Sequence, residues 1–489
     1  MRRPLRIDLL IGGIFATLLL VNIAHHALWR DEIIAWMIAL TSATPAELFE
    51  ALHYDGHPGL WHALLWPLTR ITAAPEAMKI VHAGIGLALI FLIAVAAPFS
   101  RIEKILLLGG YFISFDYTVI SRNYGIGLLL ALLYARQRAR APHAILANAL
   151  LLALLANTNI FACILSMVLA LEYVIDRWPR TARTHLAASA SIYTAGLALA
   201  VATVWPAADR SREITDPLSN LASPGHLLKT FLRFVDIGLV PIRTEAVFGP
   251  FMLFAPESAA ITALWPQILA CLVLIGMVAW IFRHERTLLL VIAATVIGAV
   301  LFGHLVYAVA IRHWGIVFVA FTACLWMQRA QRPQRSWPVL ILLGLGAIGG
   351  MQAASQQWRL PFSMAGATAA WITQAGLADA PMIGVPDTHA VAVAAYLERP
   401  ITMLECNCTA RRAVFSSARD GFRRDTLPTN LATAVRAQPT PSLLVSAWDL
   451  RPAELAAIAA AGVSLTLLST HTGAWGDENF TIYSARVAP

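Results

Sequence analysis

Apolar runs long enough to cross a bilayer recur from residue 7 to residue 352, and they constrain this chain more than anything else in it. About 18 to 20 apolar residues span the hydrocarbon core as a helix. Several runs approach or exceed that length, and eleven read as spans: 7–28, 76–98, 103–117, 123–135, 143–158, 160–176, 185–205, 262–282, 287–309, 314–328 and 337–352. Runs 103–117 and 123–135 are short, so they are expected to be tilted, re-entrant or buried among other helices. Composition agrees. Of 489 residues only 13% are charged and 58% are hydrophobic, whereas soluble domains carry about 25% charged residues. The expected class is a polytopic α-helical membrane protein with about eleven transmembrane helices. The first run is long enough to span and lacks a small-residue cleavage site, so signal cleavage is not expected.

A formal net charge of +8 would suit a nucleic-acid partner, but the placement of the basic residues explains it otherwise. With Met1 cytoplasmic, the short inner segments 1–6, 99–104, 136–142, 177–184, 283–286 and 329–336 carry 16 Lys and Arg. The much longer outer segments 29–75, 118–122, 206–261 and 310–313 carry 9. This is the positive-inside bias. Nucleic acid is excluded as a partner, and the chain is expected to sit in the cytoplasmic (inner) membrane among membrane lipids, N-terminus inside.

Residues 1–353 thus form a membrane domain with outer loops 29–75 and 206–261. Residues 354–489 change character and are expected to form an extracytoplasmic α/β domain. "PMIGV" (381–385), "ITMLE" (401–405), "SLLVS" (442–446), "VSLTLLS" (463–469) and "FTIYSA" (480–485) read as strands. "DTHAVAVAAYLER" and "PAELAAIAAAG" read as helices between them, the second with Pro452 near its start and Gly462 at its end. Strand–helix alternation predicts a largely parallel sheet. A reporter active only outside the cytoplasm, fused after Pro489, is expected to be active; a cytoplasmic signal overturns this orientation. Cys163, Cys271 and Cys324 fall within spans and read as buried thiols. Cys406 and Cys408 could ligate a metal or form a disulfide.

Polar side chains collect at the outer ends of the spans. "WRDEIIAW", Trp29 to Trp36, follows the first span and brings Asp31 and Glu32. Its apolar residues at 29, 33, 36, 37 and 40 have helical spacing, which predicts a helix along the interface with its acidic end facing a cavity. "LHYDGHPGLWHALLWPL" adds His53, Asp55, His57 and His62, with Pro58 and Gly59 setting a turn. "FDYTVISRNYG" supplies Asp116, Tyr117, Arg122, Asn123 and Tyr124; "LANTNIF" supplies Asn157 and Asn159; "YAVAIRHWG" supplies Tyr307, Arg312 and His313. An arginine at a helix end can simply snorkel to water. Acids, amides and arginines gathered on one side suggest more: carboxylates can deprotonate a hydroxyl, and guanidinium groups hold phosphate by forked hydrogen bonds.

On "WRDEIIAW", "DGHPGLWHALL", "SRNYGIGLLLALL" and "IRHWG", in that order, the chain resembles the GT-C fold polyprenyl-phosphate-sugar-dependent glycosyltransferases, the group of protein O-mannosyltransferases and lipid A aminoarabinose transferases. The resemblance covers roughly residues 7 to 350. It implies an inverting sugar transfer from a polyprenyl-phosphate-linked donor to an acceptor glycan, lipid or protein at the outer face of the membrane. Asp31, with Glu32 beside it, matches the acidic pair associated with catalysis. Arg122 and Tyr124 match an Arg-x-Tyr at the start of a span, and Arg312 with His313 matches an Arg followed by Tyr or His late in the chain; both arginines would bind donor phosphate. Asp55 and His57 would contact the sugar or hold a divalent metal ion, for which one Asp and one His are too few ligands to define a site. The rival reading is a transporter or lipid flippase with an outer recognition domain. It predicts inverted repeats and midplane charges, whereas the ionisable residues here cluster at the ends of the spans.

Overall fold

Pro, Gly and capping residues cut the apolar sequence into helices close to the expected limits. The computed structural model describes residues 3–177, 183–211, 223–242, 264–307, 309–333, 336–439 and 441–488. Five helices among these are long and apolar enough to cross a membrane: Leu5–His25, Pro75–Ala96, Thr184–Val204, Arg286–Leu305 and Trp337–Arg359. Shorter apolar helices run Ile145–Ala156 and Trp265–Ile281. Run 103–117 is two pieces, a helix Arg101–Leu108 and a π-helical turn Phe112–Asp116. Leu107, Phe112, Phe115 and Asp116 are all buried, so neighbouring helices cover this broken segment. Run 123–135 belongs to a longer helix, Tyr124–Arg140, that is largely buried in the bundle and ends in arginines. Within the 206–261 loop lies a helix the hydropathy pattern did not announce, Pro224–Leu239. Its buried face carries Leu232, Phe234, Val235 and Ile237 against the bundle core. Residues 212–222 and 243–263 of that loop lie outside the described residues.

Loop 29–75 folds as three helices, Arg30–Thr41, Pro45–Asp55 and Leu60–Thr69. The first does not lie half-exposed along an interface: every residue from Glu32 to Ala39 is buried. Its second face is covered by the C-terminal region, where helix Asp387–Tyr396 packs so that Leu28, Ile33, Trp36 and Met37 share one core with Ala390, Val391 and Val393. Apolar periodicity cannot show that a helix is covered on both sides.

The C-terminal region carries a six-stranded sheet of β1 (Met382–Val385), β2 (Ile401–Met403), β3 (Cys408–Ala410), β4 (Ser442–Ser446), β5 (Val463–His471) and β6 (Phe480–Val487), in the order β3-β2-β1-β4-β6-β5. Only β2-β1-β4 is parallel, with Ile383 opposite Thr402 and Met382 opposite Leu443. The other three strands pair antiparallel, so the sheet is mixed where a largely parallel one was expected. Connection length gives the reason. A parallel return needs a crossover of about a dozen residues or more, and the short links after β2 and β5 permit only hairpins. Cys406 and Cys408 form a disulfide across the β2–β3 turn, while Cys163, Cys271 and Cys324 are free and buried.

Candidate active site

Asp31 is the second residue of its helix, where an acid complements the positive end of the helix dipole. Neighbouring side chains on a helix diverge by about 100°, and Asp31 and Glu32 accordingly face different surroundings. The Asp31 carboxylate points to Arg312, Oδ2 to Nη2 at 2.6 Å, with Arg30 Nε 4.0 Å from Oδ1. Both Asp31 and Arg312 side chains keep one fifth of their surface exposed. Glu32 is fully buried. One of its oxygens accepts from His26 Nε2 (2.8 Å) and the Trp29 amide (3.2 Å), and the other accepts from the Ser121 amide (2.5 Å). Glu32 thus closes the start of the helix and ties it to the turn before Arg122.

Burial is the largest influence on Asp31 and acts to raise its pKa, but Arg312, Arg122, Arg30 and His57 together hold it below the usual carboxylate value. Asp31 is an anion at neutral pH. Arg312 lies over the Trp29 ring at 5.2 Å, and Arg30 over the same ring at 5.1 Å. The Tyr117 hydroxyl donates to the Arg312 carbonyl at 2.7 Å. This close approach explains Gly315 in "IRHWG": a side chain there would collide with Tyr117 and Phe112.

The remaining sequence candidates form two groups beside this pair. Arg122 donates to the Asp31 carbonyl and approaches His57 Nε2 at 3.4 Å. His57 Nδ1 is 3.0 Å from Asp55 Oδ2, and His62 Nε2 is 3.6 Å from the same oxygen. Asp55 ends its helix because Gly56 takes a left-handed conformation, φ 81°, and turns the chain toward His57. Burial acts first on Asp55 to raise its pKa, yet His57, His62 and Arg122 hold it below the usual range; burial pushes His62 down to about 4. Tyr124 stacks on Tyr117 and meets His313 edge-on, and both line a small pocket with Arg312, Asn159 and Phe161. His313 Nδ1 accepts from the Ala310 amide at 2.7 Å, and Tyr307 stands edge-on to its ring.

Asn157 and His53 are engaged elsewhere, with the backbone at Gly196 and Trp205 respectively. Both His57 ring nitrogens already face partners, and no group of three or more His, Cys, Asp or Glu among the described residues is arranged for a metal. Sequence reading missed Asp477, Glu478 and His389, which converge on Arg30 from the C-terminal sheet region. "GDENF" is visibly acidic, but nothing local says what it faces.

A bundle of membrane-length helices is closed over the Asp31–Arg312 pair by a helical first loop and a C-terminal sheet. The structure matches the crystal structure of ArnT from Cupriavidus metallidurans bound to undecaprenyl phosphate, with a TM-score of 0.53 and 12% identity over 98% of each chain. No protein-family model matches the chain, and no curated protein matches it in sequence.

Proposed function

We propose that this chain is a membrane glycosyltransferase that moves a sugar from a polyprenyl-phosphate donor to an acceptor hydroxyl at the outer face of the cytoplasmic membrane. The reading rests on one observation above all: Asp31 and Arg312 meet at 2.6 Å beside a cavity, in a fold shared with a protein crystallised with undecaprenyl phosphate. Asp31 removes the acceptor's hydroxyl proton. The freed oxygen attacks the anomeric carbon from the face opposite the phosphate, the sugar–phosphate bond breaks, and polyprenyl phosphate departs with the bonding electrons. The product is inverted at that carbon. Arg312 and Arg122 stabilise the charge gathering on the leaving phosphate.

The Asp31–Arg312 pair couples donor binding to catalysis. Unliganded, Asp31 is a weak base because arginines surround it. A donor phosphate that draws the Arg312 guanidinium away removes that stabilisation and adds a negative charge nearby. Both changes raise the proton affinity of Asp31, so the base strengthens when the donor is present. Tyr124 and His313 line the pocket beside Arg312, and the Asp55–His57 pair meets the sugar from the side of Arg122.

Cells lacking the protein are expected to accumulate a polyprenyl-phosphate-linked sugar, and the wild-type gene to clear it. Arg312→Ala loses charge-assisted hydrogen bonds of about 1.5 to 3 kcal/mol, so clearance slows about tenfold to a hundredfold. No accumulation on removal overturns the transferase. Wild-type clearance by a well-folded Arg312→Ala protein returns Arg312 to a snorkelling role.

A further inference from the structure

Arg30, next to the proposed base, is held by the far end of the chain. Its Nη1 is 2.6 Å from Asp477 Oδ1 and 2.7 Å from His389 Nε2, and its backbone amide donates to Glu478 Oε1 at 2.7 Å. The amide contact supplies an acceptor to one of the four unpaired N–H groups that open every helix, here the helix carrying Asp31. The turn providing these groups is itself fixed. Asn479 Oδ1 accepts from the Ala474 amide (3.0 Å), the Trp475 amide donates to the Pro361 carbonyl (2.7 Å), and the Met364 amide donates to the Glu478 carbonyl (3.0 Å). Trp475 packs on Phe115 and Phe362, and Phe362 meets Trp29 edge-on at 5.3 Å. The clamp therefore stands on the same aromatic base as the Asp31 helix.

We propose that Asp477 and Glu478 are positioning residues, which hold Arg30 and the start of its helix so that the Asp31 carboxylate faces Arg312 and the cavity. The C-terminal sheet region is then a working part of the transfer site as well as its cover. Glu478 fixes where the helix begins. Asp477 fixes where the Arg30 charge goes: Arg30 Nε lies 4.0 Å from Asp31 Oδ1, and without Asp477 the guanidinium is free to close on Asp31. The charged and titratable groups facing Asp31 are Arg30, Arg122, Arg312, His57, Tyr124 and Tyr307, so Arg30 is the one cation among them whose position the sheet region sets. Burial pushes Glu478 up to about 8, against the pull of Arg30, so near neutral pH it is mostly the neutral acid and glutamine is its isostere.

This inference rests on the transferase reading, and its test separates the two. The full-length protein in lipid nanodiscs is followed by amide exchange over residues 30–34. Transfer is assayed with a lipid extract of cells lacking the protein as donor and their membranes as acceptor. Glu478→Ala is expected to raise exchange at Arg30 and the following amides at least about tenfold. It should lower kcat about 10- to 100-fold, the effect of a small misplacement of a reacting group, with KM for the extract within about twofold. Glu478→Gln, whose amide oxygen still accepts from the Arg30 N–H, restores both. In Asp477→Asn the released Arg30 pairs with Asp31, and the acidic limb of the pH–rate profile moves to lower pH. Unchanged exchange in Glu478→Ala overturns the clamp whatever the activity, and raised exchange with wild-type kcat overturns its positioning role. Wild-type protein inert toward the extract overturns the transferase reading alone, and the exchange measurement still decides the clamp.

Discussion

Asp31→Asn is expected to lower sugar transfer about 100- to 10,000-fold, the usual loss when a general base is removed. The substitution keeps the shape of the side chain and an oxygen that accepts from Arg312, but an amide cannot take up a proton. Its stability cost is larger than for a free surface acid, because three arginines lose part of their counter-charge. Solvent reaches the pair, and this limits the cost to about 1 to 2 kcal/mol. Rate and stability therefore separate: a purified variant that unfolds within a few degrees of wild type and transfers almost nothing supports the base. Wild-type transfer by that variant ends the catalytic reading of "WRDEIIAW".

Its neighbour is expected to behave in the opposite way. Glu32→Ala removes a buried carboxylate from His26 and leaves the Trp29 and Ser121 amides without acceptors. Breaking a buried pair by deleting one partner costs about 3 to 5 kcal/mol, a large share of the stability of a typical domain. Glu32→Gln also costs stability. Both Glu32 oxygens accept from N–H groups, so one of those donors would meet the NH₂ of glutamine. The unfolding temperature should drop clearly for Ala and measurably for Gln, while the protein that stays folded keeps the Arg312 contact of Asp31. An unchanged unfolding temperature for Glu32→Ala would show that this hydrogen-bonded cage contributes nothing to the fold.

Asp31 and Glu32 show how far local pattern reaches. Adjacent acids after an apolar run mark a polar edge, and helical geometry says that the two diverge. Which one meets an arginine and which is sealed in backbone amides depends on Arg312 and Ser121, 281 and 89 residues further along the chain. Arg122 illustrates the same limit. Its place at a span end suggests phosphate binding, but its guanidinium also braces the Asp31 carbonyl and reaches His57. The helix Pro224–Leu239 escaped notice because only one of its faces is apolar, and the eleven runs were sought by unbroken hydrophobicity.

The sequence alone determined the solvent of this protein, the approximate limits of its helices and the gathering of its polar residues at the ends of the spans. These follow from transfer free energy and backbone hydrogen bonding, which are summed along the chain and need no knowledge of distant partners. The tertiary structure decided the pairings: Asp31 with Arg312, Glu32 with His26 and Ser121, Arg30 with Glu478 across 448 positions, and the mixed order of the sheet. A short-range ion pair or hydrogen bond exists only when packing brings two groups within about 3 Å, and residue type and spacing do not encode that distance.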